Sequence, residues 1–264
     1  MPLPKRATPL VALAVAGLEL LAVSACDAQQ PSDDRNVTDW PQHSMERPRP
    51  PAVDPGAAPA TPAPAPSDAI VLFGRGGDLS AWEADSGGPA GWIVGPGYFE
   101  VAPGTGGIHT RQPFGDVQLH VEWSSPNPPV GEGQNRGNSG VFLMGIYEVQ
   151  ILDSFGSDTY PDGMAGALFG QYPPLVNATR PPGQWNEYDI VFRAPRFLAD
   201  GALDEPARMT VFHNGILVQD AQKLVGPTSH GRRAPYETHA DRLPIGLQDH
   251  DHRVRFRNVW VREP

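Results

Sequence analysis

Asp116–Trp123 reads DVQLHVEW, and its strict alternation decides the fold class. Successive residues of a strand point to opposite faces, so Val117, Leu119, Val121 and Trp123 share one side while Gln118, His120 and Glu122 share the other. A helix would scatter both sets around its circumference. Working outward, the same kind of short β-branched or aromatic run, cut by Gly, Pro, Asn or Asp, recurs along the chain. It is found at 69–73, 92–94, 98–101, 107–110, 140–144, 147–152, 185–194, 207–212, 216–221, 244–248 and 254–263. MTVFHNGILVQ sets His213-Asn214-Gly215 between two such runs, and Asn-Gly supplies the positive φ angles of a tight hairpin. No window longer than about ten residues holds a 3.6-residue apolar period with caps, so little helix is expected. About a dozen strands without helical crossovers predict an all-β, two-sheet sandwich of jelly-roll type, with an up-and-down barrel as the rival. No repeat near 40 residues supports a propeller.

The flanks have a different character. MPLPKRATPLVALAVAGLELLAVSAC has a basic start, an apolar middle and small residues before Cys26, the chain's only cysteine. Residues 1–26 therefore read as an export signal. Val23-Ser24-Ala25-Cys26 looks like a bacterial lipobox, with lipid on Cys26 holding the mature protein to a membrane of the cell envelope. An ordinary secretory signal is the alternative. With no second cysteine, stability must come from packing rather than a disulfide. Residues 27–67 are polar, then dominated by Pro and Ala, and predict a disordered, extended tether. Residues 68–264 are long enough for a single β domain. The net charge of −10 argues against a nucleic-acid partner.

Three stretches could carry chemistry. In YEVQILDSFG (147–156), Glu148 and Gln150 share the face opposite Tyr147, Val149 and Ile151. A β-bulge near Ile151 or Leu152 would bring Asp153 round to join them, and bulges cluster at active sites. A solvated face ending in a turn-capping Asp153 is the plainer reading. The long irregular stretch 154–183, with Trp185 just after it, carries Tyr160, Asp162, Gln171, Tyr172, Asn177 and Arg180. Rings that stack on a sugar, interleaved with amides and carboxylates for its hydroxyls, suit a saccharide partner; a rigid cover over a sheet edge is the alternative. LQDHDHRVRF (247–256) places His250 and His252 with Asp249 and Asp251, a pattern able to hold a divalent cation but more often plain surface polarity. No Gly-x-Ser-x-Gly elbow or phosphate loop is present.

The segments GGPAGW (87–92), RGNSGVFLMGIYEVQILDSFG (136–156), YPDGMAGALFGQYPPLVNATRPPGQWNEYDIVFRAPRF (160–197), HNGILVQ (213–219) and LQDHDHRVRFRNVWVRE (247–263) resemble the 3-keto-disaccharide hydrolase family of exported bacterial proteins. The resemblance implies a concanavalin A-like jelly roll that cleaves glycosides carrying a ketone at C3. A ketone there acidifies the C2 proton, so the reaction needs a base, an acid for the leaving oxygen and groups to hold the enolate. Under that resemblance Glu148 is expected as base and Asp153 or His250 as acid. Asn138, Gln150, Gln171, Gln248 and a bound cation would hold the ketone and hydroxyls. Thr179 stands where relatives often carry a Cys after Asn-Ala. A lectin-like binding module and a hydrolase of unoxidised polysaccharide remain open, the latter requiring two carboxylates about 5–10 Å apart.

Overall fold

The structure, a computed structural model, describes residues 1–2, 37 and 39–264. The apolar run expected to be an export signal and Cys26 lie outside the described residues. Among the described residues fifteen strands appear: β1 (Ile70–Phe73), β2 (Trp82–Ala84), β3 (Ile93–Gly95), β4 (Tyr98–Glu100), β5 (Ile108–Phe114), β6 (Val117–Ser124), β7 (Ser139–Leu143) and β8 (Tyr147–Ile151). After a long loop come β9 (Asn186–Arg193), β10 (Arg196–Phe197), β11 (Leu203–Glu205), β12 (Arg208–His213), β13 (Ile216–Lys223), β14 (Leu243–Leu247) and β15 (Arg255–Arg262). Every run expected from alternation is a strand. The three-residue β2 and the small β10–β11 ribbon are too short to show a period.

The larger sheet runs β13-β12-β9-β6-β15-β4-β3, with β1 also paired to β15. The smaller runs β2-β5-β14-β7-β8. They face each other as a jelly-roll sandwich, and Val117, Leu119, Val121 and Trp123 of β6 share one core with Tyr147, Val149 and Ile151 of β8. Burying each such side chain contributes about 1.5–3 kcal/mol, which is why the alternation in both strands is so regular. The β12–β13 hairpin turns where expected, with φ of +53° at Asn214 and +77° at Gly215.

The free edge of β8 does not face water. The loop after it doubles back, so that Gln150 N–H donates to the Ala167 carbonyl (3.0 Å) and Gly166 N–H to the Gln150 carbonyl (3.0 Å). This covers a strand edge that would otherwise template pairing with another chain.

The part of the expected tether that is described, residues 39–66, departs from a free chain. Asn177 N–H donates to the Pro51 carbonyl and Val53 N–H to the Asn177 carbonyl, both at 2.9 Å, forming a short parallel bridge. Arg47, only 1% exposed, donates to the Gln171 carbonyl (3.0 Å). Arg233, Arg180 and Asn258 donate to the carbonyls of Trp40, Gly56 and Ala63. Composition predicted a tether because the segment has few apolar side chains. It docks instead through its backbone carbonyls, and proline-rich chain loses less conformational entropy on docking because it is already extended.

Candidate active site

β8 puts Tyr147, Val149 and Ile151 into the core, which forces Glu148 and Gln150 onto the outer face of the smaller sheet. The ladder then fixes their neighbours. Glu148 lies opposite Phe142 on β7, Phe142 opposite Gly246 on β14, Gly246 opposite His109 on β5, and His109 opposite Glu83 on β2. In the next row Gln150 lies opposite Gly140. Two glycines, Gly140 and Gly246, therefore lie on the same outer face as Glu148 and Gln150, with His109 about three strand spacings from Glu148, on the order of 14 Å. Gly140 is required sterically: a Cβ there would run into the Glu148 carboxylate.

Glu148 is buried, and its desolvated carboxyl is pushed up to about 8. Its backbone N–H donates to the Thr228 hydroxyl (2.9 Å). The Gln150 amide lies between Glu148 and Gln134. In one orientation its nitrogen donates to Gln134 Oε1 (3.0 Å); turned over, it donates to Glu148 Oε1 (2.9 Å) and the Ser139 carbonyl (3.1 Å). A protonated Glu148 can donate to the amide oxygen in the first, and an ionised Glu148 accepts in the second, so the amide can follow the proton. Asn138 Nδ2 donates to the Gln134 carbonyl (2.8 Å), while Gln134 Nε2 donates to Thr159 Oγ1 (2.8 Å) and the Gly163 carbonyl (2.9 Å). Tyr160 belongs to this end: burial, with the charges of Asp162 and Glu148, pushes its hydroxyl up to about 12. Gln248 joins this row by its backbone, donating to the Gly140 carbonyl (3.1 Å).

Other expected site residues have structural work. No bulge interrupts β8; its register with β7 is regular from Tyr147 to Ile151. Asp153 instead accepts from Arg136 Nε (2.7 Å) and the Phe155 N–H (3.3 Å), and burial raises its carboxyl despite that guanidinium. The Asp153 carboxylate is thus paired with Arg136 rather than with Glu148. Asp162 is buried and accepts from His43 N–H (3.1 Å), with Arg47 at 4.0 Å. Gln171 spends both ends of its amide on the backbone of Val225 and Gly226. Tyr172 lies in the core. Asn177 Nδ2 and Oδ1 bond the Ser154 carbonyl and Thr179 N–H. Trp185 lies beneath the Arg257 guanidinium (4.1 Å to its ring centroid) on the larger sheet, remote from β8 in the strand order. His250 is exposed and stacks on His252 (5.9 Å). Both Asp249 oxygens accept backbone N–H groups, of Gly106 and Asp251. Among the described residues no three His, Cys, Asp or Glu are grouped to hold a metal.

Sequence reasoning missed Gln134, Thr228 and the docked segment. His43 packs its ring against Tyr160 (4.3 Å), Phe169 (5.1 Å) and His230 (5.2 Å), filling the aromatic group in which a sugar was expected. Nothing local to His43 signals this.

The fold is a two-sheet antiparallel sandwich with amides and a buried carboxyl group on the outer face of its smaller sheet, and its family match makes it a carbohydrate-related β-sandwich domain. The chain belongs to the 3-keto-alpha-glucoside-1,2-lyase-like domain family, whose profile matches residues 68–262. A candidate glycosyl hydrolase from Parabacteroides distasonis ATCC 8503, known from its crystal structure, is 46% identical, with a TM-score of 0.73 over 76% of this chain and 85% of its own. Two further candidate glycosyl hydrolases from that organism, 18% and 20% identical over 74% of this chain and 94% and 99% of their own, have TM-scores of 0.53 and 0.54 and share the fold. No curated protein matches the chain.

Proposed function

We propose that the protein cleaves 3-keto-glycosides by elimination across C1–C2, with Glu148 as base. The observation that carries this is one carboxyl group buried on an outward sheet face among amides, its proton affinity raised to about 8. A binding module needs rings and amides in its cleft but no such group. Direct hydrolysis of unoxidised polysaccharide needs a second carboxylate across the bond, and Asp153 is held by Arg136.

The C3 ketone makes the C2 proton acidic. Glu148 takes that proton, and the electrons pass into the ketone as an enolate, which Gln150, Gln134 and Asn138 are positioned to hold by hydrogen bonds. Of these amides it is Gln150 that has a donor to offer, by turning between its two orientations, since Gln134 Nε2 and Asn138 Nδ2 already donate within the protein. Collapse of the enolate breaks the C1–O bond and leaves a C1–C2 double bond conjugated to the ketone. The leaving oxygen takes a proton from the Tyr160 hydroxyl, which burial keeps neutral. For net hydrolysis, water adds its hydroxyl to C1 and gives a proton to Tyr160, while Glu148 returns its own to C2. Without that second half the enone is the product.

The test is release of the C1 substituent from a 3-keto-glucoside by wild type, Glu148→Gln and Tyr160→Phe. Glu148→Gln should lose about 10²–10⁴-fold in kcat. Retention of most of the activity by a folded Glu148→Gln protein would overturn the assignment. The lipobox around Cys26 supports placement at the cell envelope, tested by whether Cys26→Ala abolishes fatty-acid labelling of the exported protein.

A further inference from the structure

A pocket of about 510 Å³ lies outside the proposed catalytic group. One wall is the docked segment 52–57; the others are Phe155, Asn177, Thr179, Arg180 and Gln184. None of Glu148, Gln150 or Tyr160 lines it. Arg180 is only 4% exposed, yet no carboxylate lies within ion-pair distance of it among the described residues. Its guanidinium is held by the carbonyls of Gly56 and Trp185 and by Asn214 Oδ1. Burial lowers its proton affinity, while the more distant charges of Glu187, Glu122 and Asp54 act in the opposite sense. The Thr179 hydroxyl, on a residue 5% exposed, has no hydrogen-bond partner. Phe155 is 46% exposed and presents its ring to this pocket.

The geometry points to an accessory site for a neutral pyranose ring, separate from the proposed catalytic group. A buried, unsatisfied hydroxyl costs about 1–3 kcal/mol, and a ligand hydroxyl would relieve that cost at Thr179 once the wall shifts to admit it. Arg180 as donor and Asp54 as acceptor flank the same space, which matches adjacent sugar hydroxyls. Their opposite charges leave no net charge for an anion to neutralise. Phe155, with Pro55 and Pro181, offers the apolar surface against which the ring's C–H face packs. The volume lies within the usual range for small-molecule sites, about 300–1,000 Å³.

Two-dimensional amide NMR of the full chain, titrated with methyl α-glucopyranoside and separately with glucuronate, tests this assignment. The neutral glycoside should give saturable shifts at Phe155, Gly156, Thr179 and Gln184, with a dissociation constant of about 1–10 mM. These should persist in Glu148→Gln, which separates this site from the catalytic group and from the proposed reaction. They should weaken about tenfold in Phe155→Ala, whose ring is half exposed and outside the core, and at least several-fold in Thr179→Val. Shifts confined to the surroundings of Glu148, no saturable shift at all, tighter binding of glucuronate than of the glycoside, or insensitivity to Phe155→Ala would each overturn the proposal.

Discussion

Replacing Glu148 by Gln should produce two linked effects whose sizes follow from the structure. The carboxyl group titrates near 4.5 when solvated and near 8 when buried in the fold. Between those values the unfolded chain has released the proton and the folded chain still holds it, so stability falls as pH rises through that window. The shift spans about 3.5 pH units at about 1.4 kcal/mol each, placing the full effect on the order of 5 kcal/mol. Below pH 4.5 both states are protonated and the stabilising contribution is complete; above pH 8 it is lost. Gln keeps the shape and cannot ionise, so Glu148→Gln should be stabilised relative to wild type by an amount that grows from pH 5 to pH 8. Catalysis should run the opposite way. At pH 7 only about a tenth of the free enzyme carries the base in its active form, so kcat/KM of wild type should rise with pH and level off above about 8. Urea unfolding of both proteins at half-unit pH intervals, paired with initial rates on a 3-keto-glucoside, measures both. His120 and His213 also titrate on unfolding, but they are common to both proteins and cancel in the difference. Parallel stability curves would show that Glu148 is not buried as described, and a flat rate profile would show that it is not the base.

Gly140→Ala should keep the fold but displace the Glu148 carboxylate, lowering kcat about 10–100-fold while circular dichroism stays unchanged; an unaffected rate would mean the carboxylate position does not matter. Arg47→Ala removes a buried guanidinium from the Gln171 carbonyl and the Asp162 carboxylate, and should cost about 2–3 kcal/mol in urea unfolding and open residues 39–57 to protease. A loss under about 0.5 kcal/mol would show that the docked segment contributes nothing. Burial alone would lower the His120 imidazole, but hydrogen bonds to Asp189 and Glu122 more than offset this and raise it to about 9. Its contribution is therefore full below pH 6.5 and lost as pH rises through 9. His120→Gln should destabilise by about 2–3 kcal/mol at pH 6 and by little at pH 10, and an equal loss at both pH values would refute the charged pairing. Burial, with the Arg180 charge, lowers His213 to about 3, so this imidazole stays neutral between Trp123 and Tyr188. The unfolded chain binds the extra proton below 6.5, so His213→Gln should lessen the loss of stability between pH 6.5 and 3 seen by thermal denaturation.

Strand positions, the Asn214-Gly215 hairpin and the outward placement of Glu148 and Gln150 were legible in the sequence because they depend on a two-residue period and local turn chemistry. A strand with Tyr147, Val149 and Ile151 in the core has only one face left for the residues between them. The family was legible for a related reason: long segments of fixed order survive reading without coordinates. The roles of the polar residues were not. Asp153 and Arg136 are 17 positions apart, Gln150 and Gln134 are 16, and Arg47 and Gln171 are 124. Whether a buried amide or carboxylate serves a ligand or a backbone depends on which donors the chain brings beside it. Residues 39–66 show this most plainly, since their composition describes a solvated tether and their carbonyls find fixed partners only on the assembled sandwich. Sequence thus set the faces of the sheets, while tertiary structure decided which polar groups on those faces were already satisfied and which remained for chemistry, because hydrogen-bond partners come from folding distant segments together.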